Sequence, residues 1–104
     1  MSMLVTLVAS GDPEAMERIA QEDPDRLQRI VGAAKEHGVI AHRFYGSEGK
    51  LMVIDEWPDA ESFQAFFGAM EHEIGPMMET VLTSEPEVTF WHKLDTRDDV
   101  GWDA

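Results

Sequence analysis

One stretch constrains the fold of this chain more than any other, the run KLMVIDEWPDAESFQAFFGAM over residues 50–70. A mostly apolar strand runs into Trp57-Pro58-Asp59 and then passes directly into a segment with aromatic residues at helical spacing. Asp59 is a good N-cap residue, and Ser62 stands where Glu or Gln would complete a capping box, so the cap is partial. The stretch predicts a strand followed at once by an amphipathic helix, which the rest of the chain must cover.

The flanking segments supply further strands and helices. Apolar runs rich in β-branched residues predict strands, and apolar positions three or four residues apart predict helices. Asp12-Pro13 starts the first helix and Asp23-Pro24 starts a second, although a single kinked helix is an alternative. Gly38 is placed for a left-handed C-cap, and Gly75-Pro76 indicates a break. The predicted strands are 3–9, 39–45, 51–57 and 88–94, and the predicted helices are about 13–21, 24–36, 60–71 and 76–83, with a turn at 46–49.

This order is β-α-β-β-α-β, which indicates a ferredoxin-like α+β fold with a four-stranded antiparallel sheet and helices on one face. The predicted domain covers residues 1–94, and the acidic tail 95–104 is predicted to be extended or partly disordered. The strands are apolar on both faces: Met3, Val5 and Leu7 alternate with Leu4 and Val8. Because a monomer would expose the second face, we expect a homodimer whose sheets face each other.

The strand LMVIDEW and the helix start Pro58-Asp59-Ala60-Glu61-Ser62-Phe63 also carry a family resemblance. The chain resembles the dimeric α/β-barrel superfamily, which includes antibiotic-biosynthesis monooxygenase-like, stress-responsive barrel and polyketide-cyclase-like proteins. The resemblance covers residues 3–94 and implies a dimeric barrel with cofactor-independent chemistry. Haem-degrading members use an Asn on the first strand, and this chain contains no Asn, so haem degradation is not expected.

Composition excludes several other functions. Eight Lys and Arg against 21 Asp and Glu give a net charge of −13, which repels nucleic acid and anionic membranes. The absence of cysteine excludes disulfides and thiolate chemistry. No apolar run approaches a membrane span, and no basic residue precedes the first apolar stretch, so we expect a cytoplasmic protein. His72 with its neighbouring Glu residues matches no metal-binding signature, so neither a metal nor a cofactor is predicted.

Histidines are the main candidates for catalysis. His42 and His92 alternate with apolar residues inside predicted strands. A neutral imidazole in a dry cavity can act as a general base or donate a hydrogen bond to an enolate or phenolate. We expect these two residues to be catalytic, with His72 or Tyr45 assisting. The alternative is that each is a structural side chain with a hydrogen-bonded neighbour.

A Phe- and Met-rich helical region predicts an adaptable apolar pocket next to the sheet, although such stripes are also typical of a core. The expected ligand-binding residues are Phe63, Phe67, Met70, Met78 and Trp57. Asp55 and Glu56 are unusual inside a strand, and one of them is predicted to pair with Arg43 or to serve as a base. Trp91 is the expected anchor of the dimer interface.

Two functions follow from these patterns. The first is a cofactor-independent enzyme, monooxygenase- or cyclase-like, that acts on an aromatic or polyketide-like molecule. The second is a non-catalytic dimeric module that binds a small apolar ligand or only assembles. Turnover that depends on His42 would favour the first, and ligand binding without turnover would favour the second.

Overall fold

A computed structural model describes residues 2–101, which form four strands and three helices. The elements are β1 (Met3–Ser10), α1 (Pro13–Glu22), α2 (Pro24–Glu36), β2 (Ala41–Ser47), β3 (Lys50–Trp57), α3 (Ala60–Glu79) and β4 (Glu87–Trp91). The four strands form one antiparallel sheet in the order β2-β3-β1-β4. The predicted ferredoxin-like fold with a four-stranded antiparallel sheet is confirmed. Within the described residues, no helix is long and apolar enough to cross a membrane.

Aspartates cap two of the helices as the sequence predicts. The Asp12 side chain accepts a hydrogen bond from the backbone N–H of Glu14 at 3.0 Å, and Asp59 accepts one from the N–H of Ser62 at 2.7 Å. Each bond satisfies one of the donors that the start of a helix leaves unpaired. The pKa of the Asp59 carboxyl is held below its ordinary value, first by the backbone N–H of Ser62 and then by its side chain. At the end of α2, Gly38 has φ 94°, the left-handed conformation that a C-cap glycine supplies.

The predicted break at Gly75-Pro76 is wrong, because α3 is one helix from Ala60 to Glu79. Proline removes one hydrogen bond to the carbonyl four residues earlier, that of His72. Pro76 and His72 are both exposed, so water can reach the carbonyl that the proline leaves unpaired. The continuous helix also buries side chains on both sides of Pro76, and burial of Met77 offsets part of the cost of the proline.

Core side chains within residues 2–101 form two clusters, both between the helices and one face of the sheet. Val5 and Trp57 are fully buried in the first cluster, and Met77 is nearly so in the second. The same helix, α3, contributes to both clusters, which is the packing reason for its continuity. The buried members are Val5, Ala34, Trp57, Phe63 and Phe66 in the first, and Met16, Leu51, Met77 and Val81 in the second.

The other face of the sheet has no helix over it. Register places Leu4, Thr6 and Val8 of β1 there, beside Met52 and Ile54 of β3. Leu4, Val8 and the neighbouring Trp91 all remain exposed, and the Trp91 indole N–H donates to the Thr6 hydroxyl at 2.8 Å. We call this set of residues, together with Tyr45, the open face. Its apolar composition matches the sequence prediction that the strands are apolar on both faces.

Two predicted strands end elsewhere than expected. β2 begins at Ala41 and runs to Ser47, so that the turn to β3 contains only Glu48 and Gly49, the latter at φ 69°. β4 ends at Trp91, so His92 lies beyond the strand in a fully exposed segment. The expectation that His92 lies within a strand among apolar neighbours is therefore wrong. Of the predicted acidic tail 95–104, residues 102–104 lie outside the described residues.

Candidate functional site

A cavity of about 800 Å³ lies between the sheet and the helices that cover it. Its floor is the helix-side face of β1, β2 and β3, and its walls come from α2, α3 and the residues that follow α3. Most lining side chains are aliphatic, aromatic or methionine. Those from the sheet are Leu7, Ala9, His42, Phe44, Leu51, Val53 and Asp55, and those from α3 include Phe63, Phe66, Phe67, Ile74, Met77 and Met78.

The polar centre of the cavity is a pair of side chains on adjacent strands. His42 and Asp55 face each other directly in the β2–β3 register. The Nδ1 atom of His42 lies 2.6 Å from Oδ1 of Asp55. Asp55 is only 5% exposed, whereas the His42 side chain is 32% exposed. The buried carboxylate therefore holds an imidazole that remains open to the cavity.

The second oxygen of Asp55 also has a partner. The Trp57 indole Nε1–H donates to Oδ2 of Asp55 at 3.2 Å, and Trp57 is fully buried beneath Phe63 and Phe66. Side chains two residues apart on a strand point to the same face, which brings these two groups together. On the other side, the His42 ring meets Phe44 edge to face, with ring centroids 5.2 Å apart. The imidazole is thus held by one carboxylate and one aromatic ring.

Four of the nine predicted site residues line this cavity. They are His42, Phe63, Phe67 and Met78. Met70 packs against the first core cluster instead. Trp57 does not line the cavity but contacts three residues that do, namely Asp55, Phe63 and Phe66. Tyr45 points to the open face and borders a smaller pocket of about 480 Å³ beside α1. His72 and His92 are exposed and are not among the lining residues.

The sequence did not predict the partner of Asp55. The sequence suggested that either Asp55 or Glu56 pairs with Arg43. Asp55 binds His42, and Arg43 lies opposite Ile54 with its guanidinium 3.3 Å from the Tyr45 hydroxyl. The sequence predicted a turn at 46–49, two residues longer than the observed one. A two-residue turn at Glu48-Gly49 fixes the register that sets His42 opposite Asp55.

The walls of the cavity are held together by an ion pair between helices. Arg29 of α2 donates to Glu73 of α3 with its Nη2 atom 2.9 Å from Oε1. This hydrogen bond is the main cause of a lowered pKa of the Glu73 carboxyl and a raised pKa of Arg29. Both side chains are solvent-accessible, so the pair adds little to the stability of the fold. Among residues 2–101, no three His, Asp or Glu side chains cluster closely enough to hold a metal ion.

Solved structures share this fold at low sequence identity. A conserved protein from Methanosarcina mazei Go1 superposes with a TM-score of 0.67 and 20% identity, over 90% of this chain and 94% of that chain. A monooxygenase from the gene ActVA-Orf6 of Streptomyces coelicolor, in complex with the ligand Nanaomycin D, superposes with a TM-score of 0.69 and 14% identity, over 91% of this chain and 89% of that chain. SnoaB, a cofactor-independent oxygenase from Streptomyces nogalater, superposes with a TM-score of 0.65 and 10% identity, over 94% of this chain and 98% of that chain. No protein-family model matches the sequence, and no curated protein matches it.

These likenesses define the class of structure. The chain has the ferredoxin-like α+β fold of antibiotic-biosynthesis monooxygenase structures, which confirms the resemblance at the level of the fold. Structures of this fold also include a protein of unknown function from Nitrosomonas europaea. The fold therefore limits the possible functions without selecting one, and the choice among those functions depends on the cavity.

Proposed function

We propose that this protein is a small cofactor-independent enzyme, monooxygenase-like, that acts on a flat aromatic or polyketide-like molecule in the cavity. The observation that carries the proposal is an apolar cavity with one imidazole–carboxylate pair, His42 and Asp55, in its floor. Its volume of about 800 Å³ falls in the range of roughly 300–1,000 Å³ that is usual for small-ligand sites. A mostly apolar pocket with few polar groups binds by shape and leaves the polar pair to act on one position of the ligand.

The proposed reaction begins with removal of a proton by His42. In a phenolic ligand such as a hydroxyanthrone, loss of a ring C–H proton gives an anion that the phenol and carbonyl groups delocalise. That anion can pass electrons to dioxygen without a cofactor. Dioxygen is the oxidant: one oxygen atom replaces the two hydrogens of the ring methylene as a carbonyl, and the other leaves with those hydrogens as water. The contribution of the protein is the base, the position of the ligand and exclusion of bulk water.

The charges around the cavity favour a ligand without an anionic group. Besides His42, the ionisable side chains that line it are all carboxylic acids, namely Asp55, Glu71, Glu79 and Glu85. The three glutamates are exposed, so their effect is screened by salt, whereas Asp55 is buried. An uncharged aromatic ligand should therefore bind more tightly than its carboxylated analogue, most clearly at low ionic strength.

Dithranol, a dihydroxyanthrone, tests the function directly. We expect the purified protein to accelerate oxygen uptake and quinone formation from it, and His42→Gln to lower kcat by about 10²–10⁴-fold, the usual contribution of a general base. His37→Gln is the matched control, because that histidine lies at the end of α2 and binds the Ala33 carbonyl. The second function, a binding module, predicts saturable binding of dithranol, no turnover, and affinity unchanged in His42→Gln. Absence of both turnover and binding would refute the enzyme and the module alike.

We further propose that the open face pairs with the open face of a second copy of this chain. Three observations support a copy of the same chain as the occupant. The face is apolar at its centre, Trp91 at its edge is 52% exposed, and a two-fold axis would bring the same apolar patch of both copies together. Large exposed apolar patches of this kind are uncommon on monomers.

A further inference from the structure

We propose that Asp55 and Trp57 are positioning residues that hold His42 in the tautomer with the proton on Nδ1, so that Nε2 is the base. The inference rests on the proposed function for its chemical purpose, but the tautomer is a property of the free protein. Neither Asp55 nor Trp57 needs to touch the ligand for this role. Both act through the imidazole.

The hydrogen bond between His42 and Asp55 determines which ring nitrogen carries the proton. An ionised carboxylate only accepts hydrogen bonds, so the Nδ1 atom, 2.6 Å from Oδ1, must carry the proton. A neutral imidazole has one N–H, and Nε2 is then the nitrogen with the free lone pair. Within residues 2–101, Nε2 makes no hydrogen bond. The lone pair is therefore available to a molecule in the cavity that His42 lines.

Trp57 fixes the orientation of the carboxylate. Its indole N–H can only donate, and it reaches Oδ2 of Asp55 at 3.2 Å from a fully buried position. Each carboxylate oxygen therefore accepts a hydrogen bond, Oδ2 from the indole and Oδ1 from the imidazole. Register adds a constraint on the backbone, because His42 and Asp55 are a direct cross-strand pair. The imidazole ring is thus held in one orientation by two strands and one tryptophan.

Fold stability alone does not account for this arrangement. A carboxylate buried at the base of an apolar cavity is unfavourable unless it is paired, and apolar residues of similar size often replace such pairs without loss of stability. Val53, two residues earlier on the same face, shows that an aliphatic side chain fits this strand. A polar pair on a sheet face that is otherwise apolar where it lines the cavity fits a role in the site.

The Asp55→Asn substitution should change the tautomer of His42 without removing its hydrogen-bond partner. The buried Trp57 N–H needs an acceptor, so it should hold the carbonyl oxygen of the new amide. The amide nitrogen would then face His42 and donate to Nδ1, which forces the proton onto Nε2. The substitution should therefore invert the tautomer and block the base while the shape of the site is kept. The same inversion explains the loss of activity when the Asp of a Ser-His-Asp triad is replaced by Asn.

The double variant Asp55→Asn/Trp57→Phe separates this mechanism from a general loss of structure. Phenylalanine removes the indole N–H and so frees the amide to turn its oxygen toward His42. We expect the Nδ1–H tautomer to return in part, together with a rise in kcat of about tenfold over the single variant. Glu56→Gln is the matched control, because its carboxylate is next along the strand and points to the open face.

Long-range proton–nitrogen NMR correlations of isotope-labelled, ligand-free protein report the tautomer at a pH where the ring is neutral. The His42 signals are assigned as those that are present in the wild-type spectrum and missing from the spectrum of His42→Gln. We expect Nδ1–H in the wild type and in Glu56→Gln, and Nε2–H in Asp55→Asn. With dithranol, Asp55→Asn should lower kcat by about 10²-fold with little change in KM.

An Nε2–H ring in the wild type would overturn the inference whether or not any variant folds. Retention of Nδ1–H in a folded Asp55→Asn would overturn it as well. If dithranol is not turned over, the proposed function fails, while the tautomer measurements still decide the positioning role. If dithranol is turned over and Asp55→Asn leaves kcat unchanged, the positioning role alone fails.

Discussion

Val8→Glu should dissociate the proposed dimer while leaving the subunit folded. Val8 lies on the open face, 39% exposed in the single subunit, with Met52 and Glu87 as its cross-strand neighbours. In a face-to-face dimer the substitution places two carboxylates, one from each copy, in an apolar interface. In the free subunit the same side chain reaches water, and the nearby Glu87 costs at most about 1 kcal/mol of repulsion.

The expected magnitude can be worked out from burial. Full burial of a Val side chain is worth about 1.5–3 kcal/mol, so the 39% that the interface would cover amounts to about 1 kcal/mol in each copy. An unpaired buried carboxylate costs about 3 kcal/mol or more, and there are two of them. The sum is about 8 kcal/mol. Even half of that raises the dissociation constant by about 10³-fold, at 1.4 kcal/mol for each factor of ten.

Sedimentation velocity over a range of concentrations measures this constant. We expect the wild type to sediment as a dimer at micromolar concentration and Val8→Glu to sediment as a monomer with unchanged secondary structure. Val88→Glu is the matched control, because Val88 is 45% exposed on β4 but pairs with Leu7 on the helix side of the sheet. A monomeric wild type, or a Val8→Glu protein that remains dimeric while Val88→Glu dissociates, would refute the face-to-face arrangement.

Three further substitutions test the fold. Phe66→Ala should lower the free energy of unfolding by about 3–5 kcal/mol in urea titrations, because Phe66 is 6% exposed in the first core cluster. Asp59→Asn should remove a stabilisation that is present above pH 3.8, the ordinary pKa of the group, and that is lost as the pH falls through the lower folded-state value set by Ser62. Its urea midpoint should therefore approach that of the wild type in acid. Gly11→Ala should cost about 1–3 kcal/mol in thermal melts, since the new Cβ would lie 2.7 Å from the Val81 carbonyl oxygen.

Local signals were enough to predict the order of elements. Asp12 and Asp59 cap the helices they were expected to cap, and Gly38 adopts the left-handed conformation predicted at the end of α2. Such signals act within a few residues of the chain, so they survive without knowledge of tertiary contacts. The alternation of apolar residues similarly identified the two faces of β1 and β3, because side chains on a strand alternate whatever they pack against.

Tertiary contacts decided the features that the sequence predicted wrongly. Gly75-Pro76 is a sound local signal for a break, but packing of Met77 in the second core cluster keeps the helix continuous. His92 follows the last residue of β4, since only Glu87 to Trp91 pair with β1. No pattern along residues 88–94 marks where the pairing with β1 ends.

The candidate site depended on register, which the sequence left open. With a four-residue turn at 46–49, Tyr45 would lie opposite Lys50 and His42 opposite Val53. The observed two-residue turn moves each pairing by two positions and sets His42 opposite Asp55. A shift of two keeps every side chain on its face, so the predicted faces were right, while the pairing of His42 with Asp55 was not predicted. The polar centre of the cavity follows from that single difference in the turn.

One face of β3 carries residues of the candidate site and the other belongs to the proposed dimer interface, so the two can be perturbed independently. Leu51, Asp55 and Trp57 point to the helices and are buried, whereas Met52 and Ile54 belong to the open face. The hydrogen bonds that set the His42 tautomer all lie within one subunit. The Val8→Glu monomer should therefore keep Nδ1–H in the same NMR experiment, even if its turnover changes. Loss of that tautomer on dissociation would mean that the partner copy orients the imidazole, and the site would then have to be described as one shared between two subunits.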